Sequence, residues 1–579
     1  MKKLNIVLLL SAFMPYVYAQ QNSISFVTWK DGNPTSVHAV NSLDSITFQK
    51  SDGTITLWNM AEGNDTLKTG VIDSMTIVTP QITSTNRLSD DELKSLFLQT
   101  KVDNTSYKKL GNHNPLMGHK FGADPYGMEY NGRLYIYMTD DHMFDSNGNF
   151  IDGGYSDIRN ISIISSEDLV NWTDHGAQHI AGSSGAAKWA NNSWAPAAAY
   201  KNIDGKDRFF LYFADNGGGI GVVTSDTPYG PWKDPIGRAL ISKGTPNCGD
   251  VPWLFDPAVL IDDDGIAYLY FGGGTDGKDA ADPGTARCVQ LGEDMISIVG
   301  TPVQIRPPYL FEDSGINKVG GKYLYSYCSN WTSNSNPGVA RIAYMKSDNP
   351  LGPFTYVGAF FDNPGGASWA GGGGNNHHAV VKFKDRYYML YHTRVLKAAM
   401  RRSPEWSSII TDNAELRSTC MSELSVDENR SVFNYLSASA ITEAGVEQIK
   451  TFDPYVKNEG ETMAWCKDVS TSYTVGKYIV RVTTAAEIDK PGGWIGLSNV
   501  DFKNGANGFT ARIKGKGVLR ISTKKTPTSF LSTILAYVEI PETDNYTIVT
   551  VPLMKMPTGT VQLFFHFSDT CSFDWWSFF

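Results

Sequence analysis

Between residues 124 and 393 one pattern recurs five times: a polar head, a short alternating run, a tight turn, and a second run rich in aromatic residues. The copies read DPYGMEYNGRLYIYMT from Asp124, WAPAAAYKNIDGKDRFFLYFA from Trp194, DPAVLIDDDGIAYLYFGG from Asp256, EDSGINKVGGKYLYSYCS from Glu312 and HHAVVKFKDRYYMLYHT from His377. Each predicts a β-hairpin, because apolar and polar positions alternate with period two on either side of turn residues. The heads are separated by 70, 62, 56 and 65 residues (194−124, 256−194, 312−256, 377−312). A strand-rich unit repeated at that spacing predicts radial repetition, a β-propeller. If equivalent strands run along one axis, their heads meet at one mouth of the channel, and Asp124, Asp256 and Glu312 face each other across a pocket. Singly, an Asp before Pro is a common turn element, and Asp262, Asp263 and Asp264 before Gly265 are read as hairpin-turn residues.

Outside the repeats the pattern changes. Residues 21–80 carry LDSITF at Leu43 to Phe48, echoed by IDSMTI at Ile72 to Ile77, which predicts a small β region. From 81 to 104 an apolar periodicity follows Ser89 and an acidic first turn, the signature of one connecting helix. The propeller is expected over 105–450. Residues 451–579 alternate again in KYIVRVTT, GFTARIKG, VLRISTKK and TVQLFFHFS, with turns at regular spacing, which predicts a β-sandwich. The aromatic C-terminus, FDWWSFF, reads as its last core strand.

Composition narrows the function. A formal net charge of −10 gives no electrostatic reason to bind nucleic acid or an anionic membrane, and 14 Trp with 28 Tyr suit a neutral sugar partner as well as a large core. Residues 1–19 combine Lys2 and Lys3, the apolar run IVLLLSAF and a small-residue end at Ala19, the layout of a secretory signal peptide, so a secreted or periplasmic protein is expected. No later stretch is long and apolar enough to predict a membrane span. The six cysteines are scattered without a CxxC pair, so neither a zinc site nor a Cys nucleophile is expected; an export compartment would permit disulfides. Among the other heads, Trp194 is a candidate wall for a sugar ring, with Phe255 beside Asp256 a second.

The ordered set HKFGADPYGMEYNGRLYIYM, NNSWAP, FDPAVLIDDDG, LFEDSGINKVGGKYLYSY and NNHHAVVKF resembles glycoside hydrolase family 43, near its arabinoxylan arabinofuranohydrolases, over about residues 110–450. EGETMAW, GGWIGLSNVDFKNGANGFTARI and FDWWSF resemble a family 6 carbohydrate-binding module. The first resemblance implies a five-bladed propeller and an inverting hydrolase, with Asp124 as general base, Glu312 as general acid and Asp256 tuning the acid's pKa and orientation. It implies removal of α-L-arabinofuranosyl groups from arabinoxylan or arabinan, with β-xylosidase, endo-arabinanase or a non-catalytic glycan-binding propeller as alternatives. It also implies a calcium ion at the propeller axis beside His377, with His378 as the alternative ligand. The second resemblance implies a structural calcium held by Glu459, Glu461 and Asp574; Trp465 and Trp494 are candidates for stacking on sugar.

Overall fold

Each repeat folds as the two inner strands of a sheet whose faces are both covered by neighbouring sheets, which is why its second strand is so aromatic. In the computed structural model the first blade is Ala123–Tyr130, Arg133–Thr139, Asn160–Ser166 and Trp172–His179. The second is Trp194–Ile203, Lys206–Asp215, Gly219–Ser225 and Ile241–Ser242. The third is Ala258–Ile261, Ala267–Phe271, Ala286–Leu291 and Ile298–Ile305. The fourth is Leu310–Val319, Lys322–Ser329, Ile342–Ser347 and Thr355–Phe361. The fifth has His378–Phe383, Arg386–Thr393 and Ser418–Leu424. All pair antiparallel in chain order. The structure describes residues 88–579 apart from 100–105, 145–149, 152–153, 472, 476–477, 481–484 and 526–532, and strand backbone within 25–78.

Alternate residues of each second strand enter opposite layers. Phe209, Leu211 and Phe213 pack with Tyr135, Tyr137 and Ile163 of the first blade, while Phe210 and Tyr212 pack with Val259, Leu269 and Phe271 of the third. Tyr268 and Tyr270 then pack with Tyr325 and Tyr327 of the fourth. Each such ring buries enough apolar surface to contribute about 1.5–3 kcal/mol. Among the described residues the ring of blades closes without a fourth strand in the fifth. Instead the chain entering the first blade lies along Ser418–Leu424: Leu116 N–H donates to Thr419 O at 2.9 Å, Gly122 N–H to Arg417 O at 2.9 Å, and Met421 N–H to Asn114 Oδ1 at 2.8 Å.

The C-terminal domain is built on one strongly folded nine-stranded sheet, apart from a separate hairpin of Tyr473–Val475 and Tyr478–Val480. Gly508–Ser522 pairs along its length with Ile534–Pro552, but its first half pairs on the other side with Cys571–Phe578 and its second half with Thr560–Phe567. The change of partner falls at Gly515 and Gly517, whose φ of 121° and 98° strongly favour glycine. GFTARIKG and VLRISTKK are therefore one bent strand rather than two, and the bend folds the sheet over a core of Phe509, Phe565, Phe573 and Trp576, as a sandwich module requires.

The two domains share that core. Met463 and Cys466 join Leu116, Met117 and Trp172 in the same buried cluster, and Thr462–Met463 adds a fifth strand to the outer edge of the first blade. The predicted connector is the helix Asp90–Gln99. Ser89 and Glu92 cap it reciprocally, Ser89 N–H donating to Glu92 Oε2 at 2.7 Å, and Leu93 and Phe97 pack on Val518 of the C-terminal sheet. Strands Ser45–Gln49 and Ser74–Val78 coincide with the two echoed motifs; residues 1–19 lie outside the described residues. No described helix is long and apolar enough to cross a membrane. All six cysteines are buried and unpaired.

Candidate active site

The blade heads are two-residue devices. Asp124, Ala195, Asp256 and Asp313 all stand at positive φ (47°, 41°, 49° and 73°), in three of the four at a bulge where the inner hairpin slips register. This register corrects the expectation that Glu312 is the counterpart of Asp124 and Asp256: that place belongs to Asp313. Glu312 occupies the preceding position, where the second and third blades carry Trp194 and Phe255.

The twisted residues bond from blade to blade around the axis. Asp124 N–H donates to His392 Nδ1 of the fifth blade at 3.2 Å. Ala195 N–H donates to Thr139 Oγ1 at 2.8 Å, and that hydroxyl donates to Asp124 Oδ2 at 2.7 Å. Asp313 N–H donates to Asp256 Oδ2 at 2.9 Å, and His378 N–H to Asp313 Oδ2 at 3.2 Å. Asp256 and Asp313 are thus held by backbone N–H groups of neighbouring strands, and Asp124 by the Thr139 hydroxyl of its own blade.

They open on a pocket of about 490 Å³ lined by Asp124, Asp256, Glu312, His377 and Arg417, with Tyr155, Trp194, Trp253, Phe255, Phe311 and Trp331 as its aromatic wall. Both predicted wall residues are there: Trp194 is half-buried, its Nε1 donating to Tyr155 O at 3.0 Å, and Phe255 is buried. Arg417, Tyr155, Trp253, Phe311 and Trp331 were not foreseen. Arg417 sits in ELRSTC, outside the repeated hairpins, and Tyr155, Trp253 and Trp331 come from connections without a common pattern, whereas Phe311, on Leu310–Val319, and Asp313 are legible as the neighbours of Glu312.

Electrostatics divides the carboxyl groups. Burial works to raise Asp124, but Arg417 Nη1 at 2.8 Å, His377, His392 and the Thr139 hydroxyl overcome it and hold the group at about 2. Burial raises Glu312 well above the usual carboxylate range, and Asp256, Asp124 and Asp313 add to this against the opposing charge of His377. Its Oε1 has no hydrogen-bond partner. Asp256 is also raised, by burial and then by Asp124, against the pull of His377 and the Asp313 N–H. One carboxylate and one protonated carboxyl at the same mouth can take a proton from water and give one to a leaving oxygen.

His377 lies among the acids, Nδ1 at 3.6 Å from Asp124 Oδ1 and 3.8 Å from Asp256 Oδ2, Nε2 at 3.1 Å from Asp313 Oδ1. Burial opposes its protonation, but Asp313, Asp124, Asp256 and Glu312 prevail and raise it to about 9. His378 points into the blade, with Nδ1 2.5 Å from Asp313 Oδ2 and Nε2 2.9 Å from Ser326 Oγ, so both its nitrogens are occupied. The anionic surround of His377 suits a hard cation in charge. Among the described residues, however, no three His, Cys, Asp or Glu side chains are arranged to ligate one metal directly, so an ion there would be held mainly through water. In the C-terminal domain Glu461 is buried with Oε2 unpartnered, and burial followed by Glu459, Asp174 and Asp574 raises it well above the carboxylate range. That orphaned oxygen suits a calcium ligand, while Asp574 pairs with Arg512 and Glu459 stands 3.4 Å from Lys457. Trp494 and Trp465 are wholly buried, Trp465 donating to Asn112 O at 2.8 Å, so neither offers a face to sugar.

Residues 113–406 match the model of glycosyl hydrolases family 43. The chain is 44% identical over 438 residues to an arabinoxylan arabinofuranohydrolase of Paenibacillus polymyxa, covering 73% of this chain and 67% of the relative. It is 40% identical over 518 residues to one of Bacillus subtilis (strain 168), covering 84% and 95%. A crystal structure of a family 43 arabinoxylan arabinofuranohydrolase from Bacillus subtilis in complex with cellotetraose superposes with a TM-score of 0.73 at 39% identity, over 82% of this chain and 99% of that one. The carboxyl-lined mouth of a five-bladed propeller therefore has a chemical lineage to match its geometry, and the chain belongs to glycosyl hydrolases family 43.

Proposed function

We propose that this glycoside hydrolase removes α-L-arabinofuranosyl side chains from arabinoxylan or arabinan by an inverting mechanism. The observation that carries the chemistry is the opposed displacement of two carboxyl groups in one pocket: Asp124 held ionised by Arg417, Glu312 kept protonated by burial and Asp256. The substrate follows the relatives, which bear the name arabinoxylan arabinofuranohydrolase. Asp124 takes the proton of the attacking water, whose oxygen bonds to the anomeric carbon. Glu312 gives its proton to the glycosidic oxygen as that bond breaks, and the pair exchange roles in resetting through solvent. Inversion places the two carboxyl groups roughly 6.5–9.5 Å apart so that water fits between them. Asp256 raises the proton affinity of Glu312 by like charge, and its bond from Asp313 N–H ties it to the strand that carries the acid.

The same proposal places a largely hydrated calcium ion at His377, where it would brace the acid ring, and a structural calcium at Glu461 with Glu459 and Asp574. It takes the C-terminal sandwich as a carbohydrate-binding module and the protein as exported. Chromatography of sugars released from wheat arabinoxylan and sugar-beet arabinan tests the activity. Free arabinose alone, absent with Glu312→Gln, is the expected result. Xylose or arabino-oligosaccharides would transfer the assignment to β-xylosidase or endo-arabinanase, and no release from either polymer would overturn it in favour of a glycan-binding protein.

A further inference from the structure

A cleft of about 320 Å³ runs along the seam between the outer edge of the first blade and the segment that opens the C-terminal domain, and it shares no residue with the catalytic pocket. Its blade wall is a pile of three rings. Tyr135 stacks on His175 at 5.9 Å and 26°, and His175 on Tyr229 at 4.5 Å and 2°. Tyr135 is buried, whereas Tyr229 at the outer end is 42% exposed. His175 Nε2 lies 2.7 Å from Ser165 Oγ, and burial with the charge of Arg133 drives its pKa down to about 3, so the pile is uncharged at neutral pH.

The charged lining sets three cations, Arg133, Lys450 and Lys457, against four acids, Glu167, Asp168, Asp453 and Glu459. Arg133 pairs with Glu167 at 3.0 Å, Glu167 also pairs with Lys450, and Lys457 faces Glu459 at 3.4 Å. An anionic ligand would meet those four acids and a cationic one the three cations, so a strongly charged ligand of either sign meets its own charge. A flat, exposed ring held rigid from behind, beside polar groups whose charges nearly cancel, fits the apolar face and hydroxyl rim of a sugar.

We infer that this seam is a second saccharide site, which takes neutral sugar residues of the polysaccharide chain outside the catalytic pocket, with Tyr229 as its stacking platform. The inference rests on the polysaccharide reading given above. A polymer that touches both sites is held by two contacts at once, the second at high effective concentration. A small aryl arabinofuranoside reaches only the catalytic pocket and gains nothing.

The test is affinity electrophoresis of the full chain through gels containing soluble wheat arabinoxylan, in a Glu312→Gln background so that the polymer survives. Adding Tyr229→Ala should weaken retardation about tenfold, the scale of losing one well-placed aromatic anchor, while Tyr229→Phe should retain it. With Glu312 intact, Tyr229→Ala should raise KM on arabinoxylan and leave kcat/KM on the aryl arabinofuranoside unchanged. Equal retardation with Tyr and with Ala at 229, or no retardation of either, overturns the site; so does an equal loss on polymer and small substrate, which would mark damage to the propeller. If Tyr229-dependent retardation is found but no arabinose is released by the unmutated protein, the seam site stands and the activity assignment falls.

Discussion

Glu312 and Asp124 are the same kind of group buried at the same mouth, and what faces each decides which keeps its proton. For Glu312 the folded pKa lies above the unfolded value, so the folded chain retains a proton that the unfolded chain releases. Its penalty therefore grows as pH rises through the unfolded value towards the folded one. Glu312→Gln should lower turnover by about 10²–10⁴-fold and melt higher than the unmutated protein at pH 7.5, with the difference gone at pH 4. Equal melting at both would show that the acid is not raised. Asp124 has the opposite sign: its stabilisation is present above the unfolded carboxylate value and is lost as pH falls towards about 2. Arg417 is the largest influence pulling it down, and it also pairs with Asp141 at 2.9 Å. Arg417→Met should move the acid limb of the pH–rate profile to higher pH and cost about 3–5 kcal/mol in urea unfolding, because two buried carboxylates lose their partner. An unmoved limb would leave Arg417 a purely structural role. Arg417 could not be read from the sequence, since an arginine just ahead of a strand announces no partner; the repeated Asp-Pro heads could, because they recur.

At the scale of elements, the hairpins were legible because two-sided burial leaves an unbroken aromatic and β-branched run. Their heads were legible only to within a residue. A bulge adds a residue without changing composition, so the sequence could not say that Asp313 rather than Glu312 takes the twisted place. Gly315 closes that bulge. A Cβ there would stand 2.4 Å from Ser326 Oγ and 3.1 Å from His378 Nε2, two groups that bond to each other. Gly315→Ala should cost about 1–3 kcal/mol and depress kcat by disturbing the Asp313–His378 contact behind Glu312; reduced stability with kcat intact would detach the bulge from catalysis. Glycine also misled the reading of the C-terminal domain, where Gly515 and Gly517 signal a turn between two strands and instead bend one.

Over the whole molecule, two β domains are written in the sequence, but their union is not, since the residues that join them are ordinary apolar ones. The shared core around Met463 and Cys466 is reinforced by buried Asp174, which accepts from Lys120 Nζ at 2.5 Å and Thr471 Oγ1 at 2.5 Å and contacts His119 Nε2 at 2.8 Å, joining blade and module. Calorimetry should therefore give one cooperative transition, and a chain ended at residue 450 should melt many degrees lower because the edge of its first blade is stripped. Two separated transitions, or an unchanged propeller melt, would show the domains to be independent. The six buried thiols give that question a finer instrument. Cys248, Cys288, Cys328 and Cys420 are spread through the third to fifth blades and the loop before them, Cys466 lies at the seam and Cys571 in the sandwich. A maleimide reagent can reach each only when its surroundings open. The molecule thus carries six built-in clocks, and the order in which they are stopped under native conditions tells which part of the wall gives way first.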